Sequence, residues 1–275
     1  MIRESLLVSL ITLLDDSDQS VRVAAWNKLQ KLGEFAIEEI EQLLPDLGQK
    51  YQNGYLESLL NELKIEIVLK RLKSYLDNPD PLLLDGLLLV SNALEPDLDK
   101  IKYLSIVQDI ADEILLEISD NRTAIENMEI FNYIFFRRIG FQHEDDTVTV
   151  KENALITKVL ESKKGNIFTI PMCYFILARQ SGLPVYPVIA GKSFTPAYLN
   201  SEDMPVFYIN IYKNGIIFSK DLTERERPTR VGVDKALVSI YADHLNYLFK
   251  SVNDKESSSI MERVLECFGN LRYIN

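Results

Sequence analysis

Between Gly165 and Pro184 the sequence reads GNIFTIPMCYFILARQSGLP, and from Phe168 to Ala178 almost every residue is apolar. A surface helix keeps a polar face. This stretch has none, so a helix here belongs in the middle of a domain. Pro171 suits the first turn of that helix, where its missing N–H costs nothing, and it should push Ile170 out of helical dihedrals. Gly182 and Pro184 end the helix, and VYPVIAG, from Val185 to Gly191, reads as a strand. A polar, Lys-rich approach, Glu161 to Lys164, precedes Gly165. The segment predicts a loop, a buried central helix and a strand, which the rest of the chain must enclose.

The chain has the material to do so: 275 residues, 47% of them hydrophobic, are ample for a sizeable core. No apolar run reaches the ~18–20 residues of a membrane helix. DPLLLDGLLLV, from Asp80 to Val90, comes nearest and is interrupted by Asp85 and Gly86. The first residues, MIRESLLVSLITLLDD, show no small-residue cleavage site before Asp15 and Asp16, so neither a signal peptide nor membrane insertion is expected. Only Cys173 and Cys267 are present, both in apolar helical settings, which points to a reducing cytoplasm and not to a disulfide framework. Thirty basic against 41 acidic residues give a formal charge of −11, which repels phosphate backbones and disfavours nucleic acid as a partner. No Gly-rich phosphate loop, zinc pattern or dinucleotide fingerprint occurs, so no cofactor and no metal are expected.

Taken in order, residues from Ser5 to Leu44 predict two amphipathic helices joined by DDSDQS, with Asp18 or Ser20 capping the second. The Asp-rich turn, Val21-Arg22, Ala24-Ala25 and Gly33 resemble a HEAT repeat. One clear repeat falls short of the three a solenoid needs, so a helical cap is the better reading than a recognition solenoid. A second, less regular helix pair is expected from Tyr51 to Leu76, up to the break at Asn78-Pro79-Asp80-Pro81. Three helical pieces follow to Gly140, the second with Asp97 placed to cap it. The aromatic face of IFNYIFFRRIGF (Phe131, Tyr133, Phe135, Phe136) reads as core. QHEDDTVTVKEN offers His143 beside three acids, but a single histidine is too few for a transition-metal site, and a solvated acidic loop is expected. VFYINIYKNGIIFS, from Val206 to Ser219, is a hairpin around Asn214-Gly215, which gives a sheet of at least three strands with Val185 to Ala190. TERERPTR, from Thr223 to Arg230, reads as a charged loop, and Asp234 to Phe268 as a helical hairpin broken at Asn253-Asp254.

The glycine loop entering a buried helix that ends Ala-Arg-x-x-Gly-Leu-Pro is similar to the core of the transglutaminase-like superfamily, whose fold is papain-like. LEPDLD (Leu94 to Asp99), FNYIFFRRIGF (Phe131 to Phe141) and NALITKVLESKKGN (Asn153 to Asn166) resemble its SirB-type branch, which carries a tetratricopeptide tail. The resemblance covers roughly the last two-thirds of the chain and implies a catalytic triad. Its cysteine, two residues after the loop glycine, corresponds to Ile167; its histidine to Ser193, ahead of Phe194; its acid to Asp221. A cysteine nucleophile needs a thiolate with a base in reach, and both are replaced here. Cys173 is the alternative nucleophile: a place early in the helix would lower its pKa, whereas apolar neighbours would raise it, and the buried, inert reading is preferred. His244 could orient against a carboxylate, but nothing in the sequence brings it to Cys173, and Ser193 as a nucleophile lacks a base.

These readings give an α+β, predominantly helical chain: a HEAT-like region at 1–78, a transglutaminase-like core with a small antiparallel sheet at 79–232, and a tetratricopeptide-like helical hairpin at 233–275. The expected function is a non-catalytic scaffold or regulator that binds a protein or peptide. Its groove would be bounded by Gly165, Asn166, Ile167, Ser193 and Phe194, with Asp221 at the far end. The alternative is a cysteine-type amide hydrolase or transferase with relocated residues.

Overall fold

A computed structural model describes residues 2–47, 54–144, 150–190, 193–219 and 233–269. The chain is predominantly helical with one small antiparallel sheet, an α+β fold. It opens with α1 (Ile2–Leu13), α2 (Gln19–Leu32), α3 (Glu34–Leu47) and α4 (Tyr55–Asp77). Asp18 is the cap of α2, accepting the Ser20 N–H at 2.8 Å, and Arg22 clamps the acidic turn by donating to the carbonyl oxygens of Asp16 and Ser17. The first two expected helices are three, because Gly33, at φ +60°, ends α2 and α3 restarts at once. The expected second pair is the single helix α4, since no Gly or Pro interrupts Tyr55 to Asp77.

Helix α4 serves two apolar cores. Leu56, Leu60 and Leu63 pack with Leu7, Ile11, Leu29 and Ile40, whereas Ile65, Val68, Leu72 and Tyr75 enter the main core. The break at Asn78 thus ends a helix, while the change of core falls a few turns earlier, inside α4.

Helices α5 (Leu83–Leu94), α6 (Lys100–Leu115) and α7 (Ala124–Tyr133) follow. Asp99, not Asp97, caps α6 by accepting the Lys102 N–H; Asp97 instead pairs with Lys64 at 2.6 Å. Thr123 and Glu126 form a capping box on α7. A π-helical turn, Ile134–Arg138, continues it and gathers Phe131, Phe135 and Phe136 around Tyr174, while Tyr133 points out and is exposed. The extra residue of the π turn re-aims the face, which a regular period does not anticipate.

The core segment begins with β1 (Gln142–His143), α8 (Lys151–Ala154), α9 (Ile156–Ser162) and β2 (Lys164–Gly165), β1 and β2 pairing in parallel. Then come α10 (Thr169–Gln180) and a four-stranded antiparallel meander: β3 (Val185–Ala190), β4 (Ser193–Leu199), β5 (Pro205–Asn210) and β6 (Ile216–Phe218). Every residue of α10 from Thr169 to Ala178 is buried, as a helix without a polar face must be. It lies against β3, α6 and α9, and the hairpin reaches the same core through Phe207, Ile209 and Ile211. Ile170 is helical despite preceding Pro171, its N–H bonding the Asn166 carbonyl oxygen at 3.2 Å. The hairpin connection spans Ile211 to Gly215 and is longer than the Asn214-Gly215 pair, though both of those residues take positive φ. Gly215 has no room for a side chain: a Cβ there would sit 2.3 Å from the Asn132 amide, which donates to the Gly215 carbonyl oxygen and accepts from the Tyr174 hydroxyl.

Helices α11 (Val233–Ser251) and α12 (Lys255–Phe268) close the chain. They pack on each other and on α5 and α4, so the terminal hairpin is part of the main core. The Tyr241 hydroxyl of α11 accepts the Ile156 N–H at 2.9 Å and bonds Ser91, tying α11 to α9 and α5. Among the described residues no helix is long and apolar enough to cross a membrane, and no group of three His, Cys, Asp or Glu side chains could hold a metal ion.

Candidate functional site

The approach to α10 is a knot of short-range constraints. Gly165 ends β2 where a Cβ would lie 2.6 Å from Thr169 Oγ1 and 2.9 Å from Val159, so only glycine fits beneath the helix start. Asn166 follows and is buried, 1% exposed. Its Oδ1 accepts the N–H groups of Phe168 and Thr169 at 2.9 and 3.1 Å, satisfying amides that a helix start leaves free. Its backbone N–H and the Thr169 hydroxyl both donate to the Asn153 carbonyl oxygen, which closes the segment from Asn153 to Asn166 on itself.

With Oδ1 engaged by two donors, the amide Nδ2 of Asn166 is left to donate to Nε2 of His244, 2.8 Å away on α11. That assigns the imidazole proton to Nδ1. Phe168 stacks on the same ring, centroid to centroid 4.3 Å. His244 is 5% exposed, and burial pushes its pKa down from 6.5 to about 4, with Asp243 opposing only weakly. The imidazole is neutral at neutral pH. The partner of this histidine is thus the Asn166 amide, 78 positions away along the chain, and not the carboxylate expected from the sequence.

Ile167, expected at the nucleophile position, is by contrast 43% exposed. Its carbonyl oxygen accepts the Tyr212 hydroxyl at 3.0 Å, and the Tyr212 ring meets His143 edge-on at 5.3 Å. Phe194 is partly buried and lies over the middle of α10 against Phe175, at 5.9 Å, roughly two helical turns beyond Ile167. Ser193 opens β4, paired in register with Ala190. Asp221 and the loop from Thr223 to Arg230 lie outside the described residues. Of the expected rim, Ile167 stands at the surface, whereas Gly165 and Asn166 are inside and Asn166 faces His244.

Cys173 is fully buried, 0% exposed, and desolvation pushes its thiol up to about 12. Lys163 is the cation that pulls the other way, but it is itself partly desolvated, its pKa lowered, and it donates to the Leu160 carbonyl oxygen. Burial wins, and the thiol stays protonated. The arrangement therefore sets an exposed apolar residue, Ile167, beside an amide–imidazole pair turned into the core.

The model of the transglutaminase-like superfamily matches residues 101–265, from the start of α6 to the last turn of α12. Two curated proteins, each named UPF0162 protein, from the Temecula1 and 9a5c strains of Xylella fastidiosa, are 25% identical to this chain over 183 residues. That alignment takes in 64% of this chain and 64% of each relative, so the chain spans somewhat under two-thirds of the length of the curated relatives it matches. No solved structure matches. Since the family match takes in more than half of the 275 residues, and includes the loop, the central helix, the sheet and the closing helices, the chain belongs to the transglutaminase-like superfamily.

Proposed function

We propose that the protein is a non-catalytic binding protein, a scaffold or regulator whose transglutaminase-like core presents the N-terminal end of α10 to a protein or peptide partner. One observation carries this reading: Ile167, which the resemblance aligns with the nucleophile, is exposed, while Asn166, His244 and Cys173 are all buried. An exposed branched side chain beside the Tyr212 and His143 rings suits apolar contact, and a buried thiol cannot attack an amide. The SirB-type resemblance, with α1 to α4 as a HEAT-like cap and α11–α12 as one tetratricopeptide-like hairpin, fits a chain assembled for contact with other proteins. The two free cysteines fit a reducing cytoplasm.

The test compares partners retained from extract of the native cell by wild type and by Ile167→Arg. Because Ile167 is partly exposed, the variant should melt within a few degrees of wild type. It is expected to lose a specific partner at least tenfold. Equal retention by both proteins would remove the Ile167 end from the reading.

A further inference from the structure

A second surface lies at the opposite end of α10. The Pro79–Leu82 segment before α5 and the exposed face of α6 form two walls of a cleft of about 930 Å³, floored by Ile176 and Arg179 of α10 and Tyr186 of β3. Three large apolar side chains converge on it while open to solvent: Leu82 at 65%, Ile101 at 77% and Leu104 at 38% exposure. A cleft of this size with apolar walls is a binding site in form.

Charge selects among occupants. Arg179, the one cation among the described lining residues, pairs through Nη1 with Asp234 at 2.7 Å and stacks on the Tyr186 ring at 5.1 Å, while its Nη2 is buried without a hydrogen-bond partner and is open to a carbonyl oxygen of a bound segment. Asp85 is paired with Lys100 at 2.7 Å. Asp80 and Asp109, which also line the cleft, carry no ion pair among the described residues. The lining therefore presents apolar walls and uncompensated carboxylates, on a chain whose net charge is −11. An acidic or phosphate-bearing ligand would be repelled, and a purely apolar one would leave the carboxylates without partners.

We infer that this cleft docks a short basic amphipathic segment of a partner protein, whose apolar side chains lie between Leu82, Ile101 and Leu104 while its Lys or Arg side chains meet Asp80 and Asp109. The mode is that of an amphipathic segment in an apolar groove, with carboxylates setting orientation and choice of partner. The surface is separate from the Ile167 end, and its failure leaves the reading above standing.

Fluorescence anisotropy with the full chain tests it, using a labelled peptide of alternating pattern LKKLLKKL and its acidic counterpart LEELLEEL. The basic peptide should bind saturably and the acidic one at least tenfold more weakly. The double variant Leu82→Ser/Ile101→Ser changes no charge and touches only exposed side chains, and it should weaken the basic peptide at least tenfold. Asp80→Asn/Asp109→Asn should weaken it severalfold and flatten its salt dependence. Undiminished binding to Leu82→Ser/Ile101→Ser would show attraction to net charge alone and overturn the inference, as would equal binding of the two peptides or no saturable binding.

Discussion

Iodoacetamide added to the folded protein near neutral pH is expected to leave Cys173 unmodified over a period in which an open thiol is alkylated completely. Two factors multiply. A free cysteine is a few per cent thiolate near pH 7, whereas a thiol pushed up to about 12 is ionised to roughly one part in 10⁵, a loss on the order of a thousandfold in reactive species. The side chain is also sealed, 0% exposed, so reagent must await an opening of the core. Cys267, only partly buried, should label first. In urea the two should label alike, as peptide mass spectrometry can follow. Stoichiometric labelling of Cys173 within minutes, without denaturant, would mean an open path to a reactive thiolate and would favour the relocated-enzyme alternative.

Replacing Asn166 by Ala should cost about 2–4 kcal/mol of stability, the sum of a lost cap at ~1 kcal/mol and a buried imidazole and amides left without partners at ~1–3 kcal/mol. Thermal or denaturant unfolding measures it. The same site gives the protein an acid limb. His244 has a folded pKa of about 4, below its unfolded value of 6.5, so between these values the unfolded chain binds more protons. The stabilisation is fully present above about pH 6.5 and is lost as pH falls toward 4, by up to about 3 kcal/mol. Asn166→Asp separates the two roles. A carboxylate retains the Oδ acceptor for the Phe168 and Thr169 amides but places an anion 2.8 Å from His244, which favours the imidazolium. That variant should keep most of its stability at pH 5 and lose the acid limb between 6.5 and 4. A wild-type unfolding curve that is flat across this window would show that His244 is not held neutral by the fold.

The burial of α10 was legible because a run without polar residues leaves a helix no solvent face, and the hairpin because Asn214-Gly215 tolerates positive φ. Gly165 was legible as a loop glycine, but the reason it must be glycine, the approach of Thr169 and Val159, depends on packing that no local pattern encodes. Asn166 reads as a rim residue of the expected groove, and nothing local in the sequence turns its side chain inward. Its partner His244 lies far along the chain in α11, and the signal that could have joined them was weak: a histidine set among the apolar Ala242, Leu245 and Leu248 of a helix. Ile170 defied the rule for residues before proline because the Asn166 carbonyl oxygen already engages its N–H. The choice of Asp99 over Asp97 as a cap turned on a tertiary pair with Lys64 that sequence spacing does not show.

The central proposal is that no amide chemistry takes place at the end of α10. The most direct measurement is ammonia release from a glutaminyl peptide with a primary amine present, run with wild type and with Cys173→Ser at equal concentration. The account predicts release no faster than buffer alone from either protein. Release by wild type that exceeds buffer and vanishes in Cys173→Ser would contradict it and establish a working nucleophile inside the core.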